Sequence, residues 1–434
     1  MKVTEFHDFP GIGLTMIQTD KFKSATLSAT FLTPLTKETA AVNALVPYVL
    51  RRGTERYPTM GEVSVKLEEL YGGTLDPAVR KRGETQCIGL MGSFLNDAFA
   101  LEPGSNLKEA AGLLEEMLLR PATENGVFRA EYVSGEREKL VQAIRARVND
   151  KRQYAMLRLL QEMCRRERYG VDALGSEEAM GAATAQSAWD AYQGLLKHAR
   201  LHLFYCGTAG AEEVKAALMG LMEAVHALQS GQAATLSCAV YDKPRRGETV
   251  VEPMDVAQGK LALGFRTGGV GLTGDDPKEY AALTVMNALY GGTATSKLFL
   301  NVREKLSLCY YASSALESLK GVMVVSSGVE FGNMDRAQKE ILDQLEAVKR
   351  GGFTEEELES ARQAVVNVYK SAIDSSVQLE SHCLTAAVSG VWVALPELAQ
   401  EAERVTKEQV TAVANKIELD TVYRLVGKEG QSNA

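Results

Sequence analysis

Residues 25–31 read ATLSATF, with Ala25, Leu27, Ala29 and Phe31 alternating with Thr26, Ser28 and Thr30. A period of two predicts a strand with one buried face. Outward from it, the spacing predicts a helix at about 39–52, which Gly53 can stop in a left-handed cap. A second helix follows at about 60–71, opened by the capping box Thr59/Glu62, striped by Val63, Leu67, Leu70 and Tyr71, and ended by Gly72-Gly73. Strand-like sequence fills about 74–96. Helices are then expected at about 107–119, 128–165 and 184–197, and a strand at about 200–206.

The second half repeats this order. Lys260–Arg266 (KLALGFR) is a strand, and Asp276-Pro277 opens a helix that ends at Gly291-Gly292. A helix at about 296–306 leads into strands near 308–316 and 321–329. Helices are expected at about 333–349 and 354–388, the latter opened by Thr354/Glu357. A last helix, opened by Thr406/Gln409, precedes the strand Thr421–Val426. The two copies of LYGGT, at 70–74 and 289–293, end non-equivalent helices and do not mark the repeat. Residues 229–246 are small, polar and irregular, as a linker is. The repeated order predicts two α+β domains, 1–228 and 247–434, joined by that linker.

Composition narrows the function. The 434 residues carry 48 Lys+Arg and 56 Asp+Glu, a net charge of −8, which argues against a general nucleic-acid binder. No window approaches ~18 consecutive apolar residues, so no membrane span is expected. The first 18 residues lack the pattern of a secretion signal. Six dispersed cysteines read as free, mostly buried thiols in a reducing cytoplasm.

Few residues invite catalysis. Among five histidines, His198 and His202 are four apart, but at a strand entry and with no carboxylate between them, which is not a zinc set. The loop at 266–271 does not lead directly into a helix, so a dinucleotide site is a weak reading. The informative region is Leu298–Ser314, LFLNVREKLSLCYYASS. Alone, Arg303 reads as a cation at a helix C-terminus and Tyr310 as strand packing.

A resemblance shifts that reading. Residues 288–314, ALYGGTATSKLFLNVREKLSLCYYASS, resemble the C-terminal-domain signature of the pitrilysin/insulinase family of zinc peptidases. That signature is a glycine-rich turn, a helix ending V-R-E-K, and a Tyr seven residues after the Arg. Residues 41–54, AVNALVPYVLRRGT, resemble the family's first helix, which reads H-x-x-E-H, then a short apolar run and G-T. The resemblance implies two duplicated α+β domains, each a mainly antiparallel sheet packed with helices, together one half of an insulinase-like clamshell.

The metal motif departs from the pattern. Anchored on Gly53-Thr54, the family's first His falls on Ala44, its Glu on Pro47 and its second His on Tyr48; a one-residue slip gives Asn43, Val46 and Pro47. Neither set supplies zinc ligands or a general base. Pro47 should also kink the helix. The third ligand would align with Glu136, read here as a solvated helix charge with Lys139 as its local partner. No metal or cofactor is therefore expected on this chain.

In the family, the Arg and Tyr come from the opposite half and support the substrate carbonyl. The resemblance thus assigns Arg303 and Tyr310 as catalytic residues of a cytoplasmic, non-catalytic subunit of a heterodimeric zinc endopeptidase. Its partner would be an insulinase-family chain with H-x-x-E-H and zinc, and its substrate a peptide. On this reading the chain is not a peptidase alone. The alternative is an inactive structural or peptide-binding protein of the same fold.

Overall fold

The computed structural model describes residues 2–101, 106–230, 233–241, 244, 247–274 and 276–428. In chain order the strands of the first half are β1 (Lys2–Phe9), β2 (Ile12–Gln18), β3 (Ser24–Pro34), β4 (Thr74–Arg82), β5 (Thr85–Leu95), the short pair β6 (Thr123–Glu124) and β7 (Val127–Phe128), and β8 (Arg200–Gly207). Those of the second half are β9 (Glu248–Met254), β10 (Gly259–Arg266), β11 (Cys309–Glu317), β12 (Val322–Val329) and β13 (Glu418–Gly427). The helices are α1 (Ala40–Leu50), α2 (Met60–Glu69), α3 (Asn106–Leu119), α4 (Ala130–Ala146), α5 (Lys151–Met163), α6 (Glu177–Gly181), α7 (Ala185–His198) and α8 (Ala211–Leu228). They continue with α9 (Pro277–Asn287), α10 (Met334–Lys349), α11 (Glu355–Ala372), α12 (Ser376–Ser389), α13 (Leu395–Glu403) and α14 (Lys407–Asn415).

The chain forms two compact units. One comprises residues 1–145, 171–237 and 373–390; the other comprises 146–170, 238–372 and 391–434. Each unit takes a segment from across the linker, which a division into 1–228 and 247–434 does not anticipate. Of the linker itself, residues 231–232, 242–243 and 245–246 lie outside the described residues.

The first unit holds a six-stranded sheet in the order β1-β2-β8-β3-β5-β4, antiparallel except for the parallel pair β2/β8. Ala25, Leu27, Ala29 and Phe31 bury one face against apolar side chains of α1, α3, α7 and α8. The opposite face is not open to solvent. Thr26, Ser28 and Thr30 are also buried, because α12 covers them. Thr26 Oγ1 donates to Ser376 Oγ at 2.7 Å, and Ser28 Oγ to Glu380 Oε1 at 3.2 Å.

The second unit holds a five-stranded sheet in the order β11-β12-β10-β13-β9, again with one parallel pair, β13/β9. Read from the β11 edge, it matches the first sheet read from the β4 edge, and the first sheet adds β1. The duplicated α+β fold is thus present in both sheets. Leu261, Leu263 and Phe265 pack on one side with α9, α10, α11 and α14. On the other side, Ala262, Val324 and Tyr423 meet Ala155, Leu159 and Met163 of α5.

Several local expectations change. The helix expected over 128–165 breaks after α4, and Asp150 caps α5 by accepting from the Arg152 and Gln153 amides at 3.1 and 3.0 Å. The helix expected over 354–388 breaks after α11, and Ser375 Oγ accepts from the Gln378 amide at 3.3 Å to start α12. Both breaks fall at the borders between units. Gly53 is not in the left-handed region. A Cβ there would lie 2.4 Å from the Pro58 carbonyl oxygen, so close backbone approach is what needs glycine. The helix α1 runs through Pro47.

Candidate functional site

Arg303 lies in the last turn of a π-helical segment, Leu298–Lys305, that precedes β11. Its wide turn is closed by the Leu306 amide on the Asn301 carbonyl at 3.1 Å, and the Leu308 amide reaches the Val302 carbonyl at 3.0 Å. Ser307 then reverses the chain in the left-handed region, with φ +48°. Leu308 anchors the turn in the core.

The strand starts with an irregularity. Cys309 pairs with Val329 and Tyr311 with Gly328, so Tyr310 is an extra residue in a β-bulge. Its side chain is turned outward and the residue is 62% exposed. Tyr311 packs elsewhere: its ring lies 4.3 Å from the Arg152 guanidinium carbon and 5.9 Å from Lys260 Nζ.

Arg303 and Tyr310 line one polar cavity of about 440 Å³, together with Glu304, Cys309, Glu330 and Asn333. The guanidinium stacks on Phe299 at 4.6 Å and pairs with Glu304 at 3.2 Å. The Tyr310 hydroxyl donates to Glu330 Oε1 at 3.3 Å. Arg303 and Glu304 are both substantially exposed, and such an ion pair contributes at most about 1 kcal/mol. An incoming carbonyl could compete for either donor. Burial pushes the Cys309 thiol up, while the nearby Arg303 charge opposes that shift.

The corresponding residues of the first unit are arranged differently. Ala44 and Pro47 are buried in α1. Tyr48 is half-buried and faces α4, where burial first and the Glu136 charge second push its phenol up. Glu136 is not a solvated charge: it is 5% exposed. Lys139 Nζ donates to its Oε1 at 2.7 Å, the partner that the i,i+3 spacing suggests. Arg52 Nη1 donates to the same oxygen at 3.0 Å. Sequence reasoning missed Arg52, which lies just past the C-terminal end of α1, four residues after Tyr48.

This donor set does not fit zinc. It offers a methyl group, a proline ring, a phenol held protonated and one carboxylate already shared by two cations. Among the described residues, no three His, Cys, Asp or Glu side chains gather as a metal site. His198 ends α7. His202 is buried in β8 with Nε2 3.1 Å from Thr15 Oγ1, and burial lowers its imidazole to about 4.

The fold and its duplication define a class. The chain belongs to the peptidase M16 family, the pitrilysin/insulinase peptidases; the family profile described as the peptidase M16 inactive domain matches residues 182–365. Its particular likeness is to the probable inactive metalloprotease YmfF of Bacillus subtilis (strain 168), with 34% identity over 432 residues, covering 97% of each chain. A conserved protein from Enterococcus faecalis V583 has a similar solved structure, with a TM-score of 0.87, 29% identity and 98% of each chain covered. The uncharacterized zinc protease YmxG, also of Bacillus subtilis (strain 168), is 26% identical over 175 residues, 39% of this chain and 41% of its own.

Proposed function

We propose that this chain is the non-catalytic subunit of a heterodimeric zinc endopeptidase, supplying Arg303 and Tyr310 to a partner that carries H-x-x-E-H. One observation carries the reading: Arg303 and Tyr310 line one solvent-facing cavity, with Tyr310 aimed outward by a bulge. Bacillus subtilis has both a probable inactive metalloprotease and a zinc protease of this similarity group, so the two kinds of chain coexist in one organism.

The chemistry asked of this chain is modest. The partner would hold the zinc and its activated water. Here the Arg303 guanidinium and the Tyr310 hydroxyl donate hydrogen bonds to a peptide carbonyl oxygen as it gains negative charge. The dispersed cysteines, four of the six buried, favour a cytoplasmic setting.

Co-expression with an H-x-x-E-H relative should yield a 1:1 complex by light scattering, with an interface of obligate size. In that complex Arg303→Ala and Tyr310→Phe should each lower kcat/KM by about 10²–10³, and together by less than the product. A complex that cleaves peptide equally well without both side chains would sink the proposal. The second reading, an inactive structural or peptide-binding protein, is favoured by the description of YmfF as probably inactive. It predicts a stable chain that ignores every such relative.

A further inference from the structure

We infer that Arg52, assisted by Lys139, occupies the charge position of a metal between α1 and α4, so that this unit rejects zinc even when imidazole ligands are restored. The inference concerns the first unit alone and does not depend on the role proposed for Arg303 and Tyr310.

Three observations carry it. First, Glu136 is buried, and a buried carboxylate needs a counter-charge. Two cations supply it on a single oxygen, Arg52 Nη1 at 3.0 Å and Lys139 Nζ at 2.7 Å. The triad already sums to one positive charge, and a divalent ion at the same carboxylate would meet two like charges at short range.

Second, Arg52 is held in place. Its guanidinium carbon lies 4.9 Å from the centre of the Tyr132 ring. That tyrosine is itself fixed, its hydroxyl donating to the Pro58 carbonyl at 2.8 Å and accepting from Arg129 at 3.2 Å. The Arg52 side chain is 25% exposed against 61% for Lys139, so Lys139 can swing away and Arg52 is the more confined.

Third, positions 44 and 48 are one turn apart on α1, which places them along one face, and Arg52 follows just past the end of that helix. The alternative position, Asn43, is engaged elsewhere: its side chain donates to Gln86 at 3.3 Å. Imidazoles at 44 and 48 would therefore converge on Glu136, as would Arg52.

The experiment compares two variants by zinc content after dialysis and by calorimetric titration with zinc chloride. Ala44→His/Tyr48→His, with Glu136 intact, should bind no stoichiometric zinc. The same pair with Arg52→Gln and Lys139→Gln should bind one zinc per chain, at least 100-fold tighter. Equal affinity of the two variants would overturn the inference, as would no binding by a fourfold variant that unfolds cooperatively. Because His at a packed position such as Ala44 can itself prevent folding, a thermal double-mutant cycle on the native chain gives an independent test. Arg52→Gln and Glu136→Gln should be coupled, the double variant losing less Tm than the two single losses combined. Additive losses would show no working pair at this position and overturn the inference.

Discussion

The two sheets present the same strand order to a covering helix, yet the covered faces are opposite in chemistry. Under α12 the first sheet is polar: Thr26, Ser28, Thr30 and His202 lie buried around Glu380, which Arg80 grips with two hydrogen bonds at 2.6 and 2.7 Å. Under α5 the second sheet is apolar, with Ala262, Val324 and Tyr423 against Leu159 and Met163. There, charge gathers where β10 ends: Arg266 pairs with Asp420 at 2.9 Å and Glu167 at 2.6 Å, and Lys320 joins Glu167 at 2.8 Å. A buried sheet face can thus be built from oil or from a carboxylate that organises donors. The polar version fixes one arrangement of its groups, and it is costly to interrupt.

The largest effect should come from Glu380→Ala. It strands the Arg80 charge under α12 and should destabilise by about 3–5 kcal/mol in urea titration. Glu380→Ala with Arg80→Ala should recover part of the loss; no recovery would mean that Glu380 acts by volume alone. On the apolar side, Leu159→Ala removes a fully buried side chain and should cost about 2–5 kcal/mol, with no rescue by any charge change.

Acid sharpens the contrast. The folded His202 pKa, about 4, lies below the ordinary value of 6.5. Between those values the unfolded chain binds the extra proton, so stability falls as pH drops, by up to about 1.4 kcal/mol per pH unit. The nearby Glu380 charge opposes the depression and Arg80 assists it. Replacing His202 with Gln should flatten the stability profile between pH 6.5 and 4; an unchanged slope would place the acid sensitivity elsewhere. Least of all, Arg303→Ala, Tyr310→Phe and Tyr311→Phe should each stay within about 0.5 kcal/mol in thermal unfolding, as surface or hydroxyl-only changes do. Tyr311→Phe should also leave the kcat/KM of a complex unchanged, since its ring rather than its hydroxyl meets Arg152 and Lys260.

The legible parts of the fold were those with local causes. The capping boxes at Thr59, Thr354 and Thr406 form as read. The alternation over 25–31 identifies the apolar face correctly, but not the fate of the polar one, because Glu380 lies 352 residues from Ser28. Strand β2 had a readable alternation in Ile12, Leu14 and Met16, the side chains it buries in the core, and the expectation above leaves it out. Helix α8 had a readable stripe in Val214, Leu218, Leu221, Met222 and Val225, and the expectation above simply leaves it out. Arg303 and Tyr310 were found through motif resemblance; the bulge that exposes Tyr310 has no sequence signal. Arg52 and Glu136 are 84 residues apart, beyond any local rule.

The exchanged segments also set an order of events during synthesis. Residues 1–237 emerge first, but Thr26, Ser28, Thr30 and Arg80 have no cover until residues 376–389 leave the ribosome. The first unit is therefore begun early and finished late. The second can place α5 as soon as its sheet forms, because residues 151–163 precede that sheet in the chain. Cutting the chain at the linker would likewise free neither half, because each unit would still be built from both fragments.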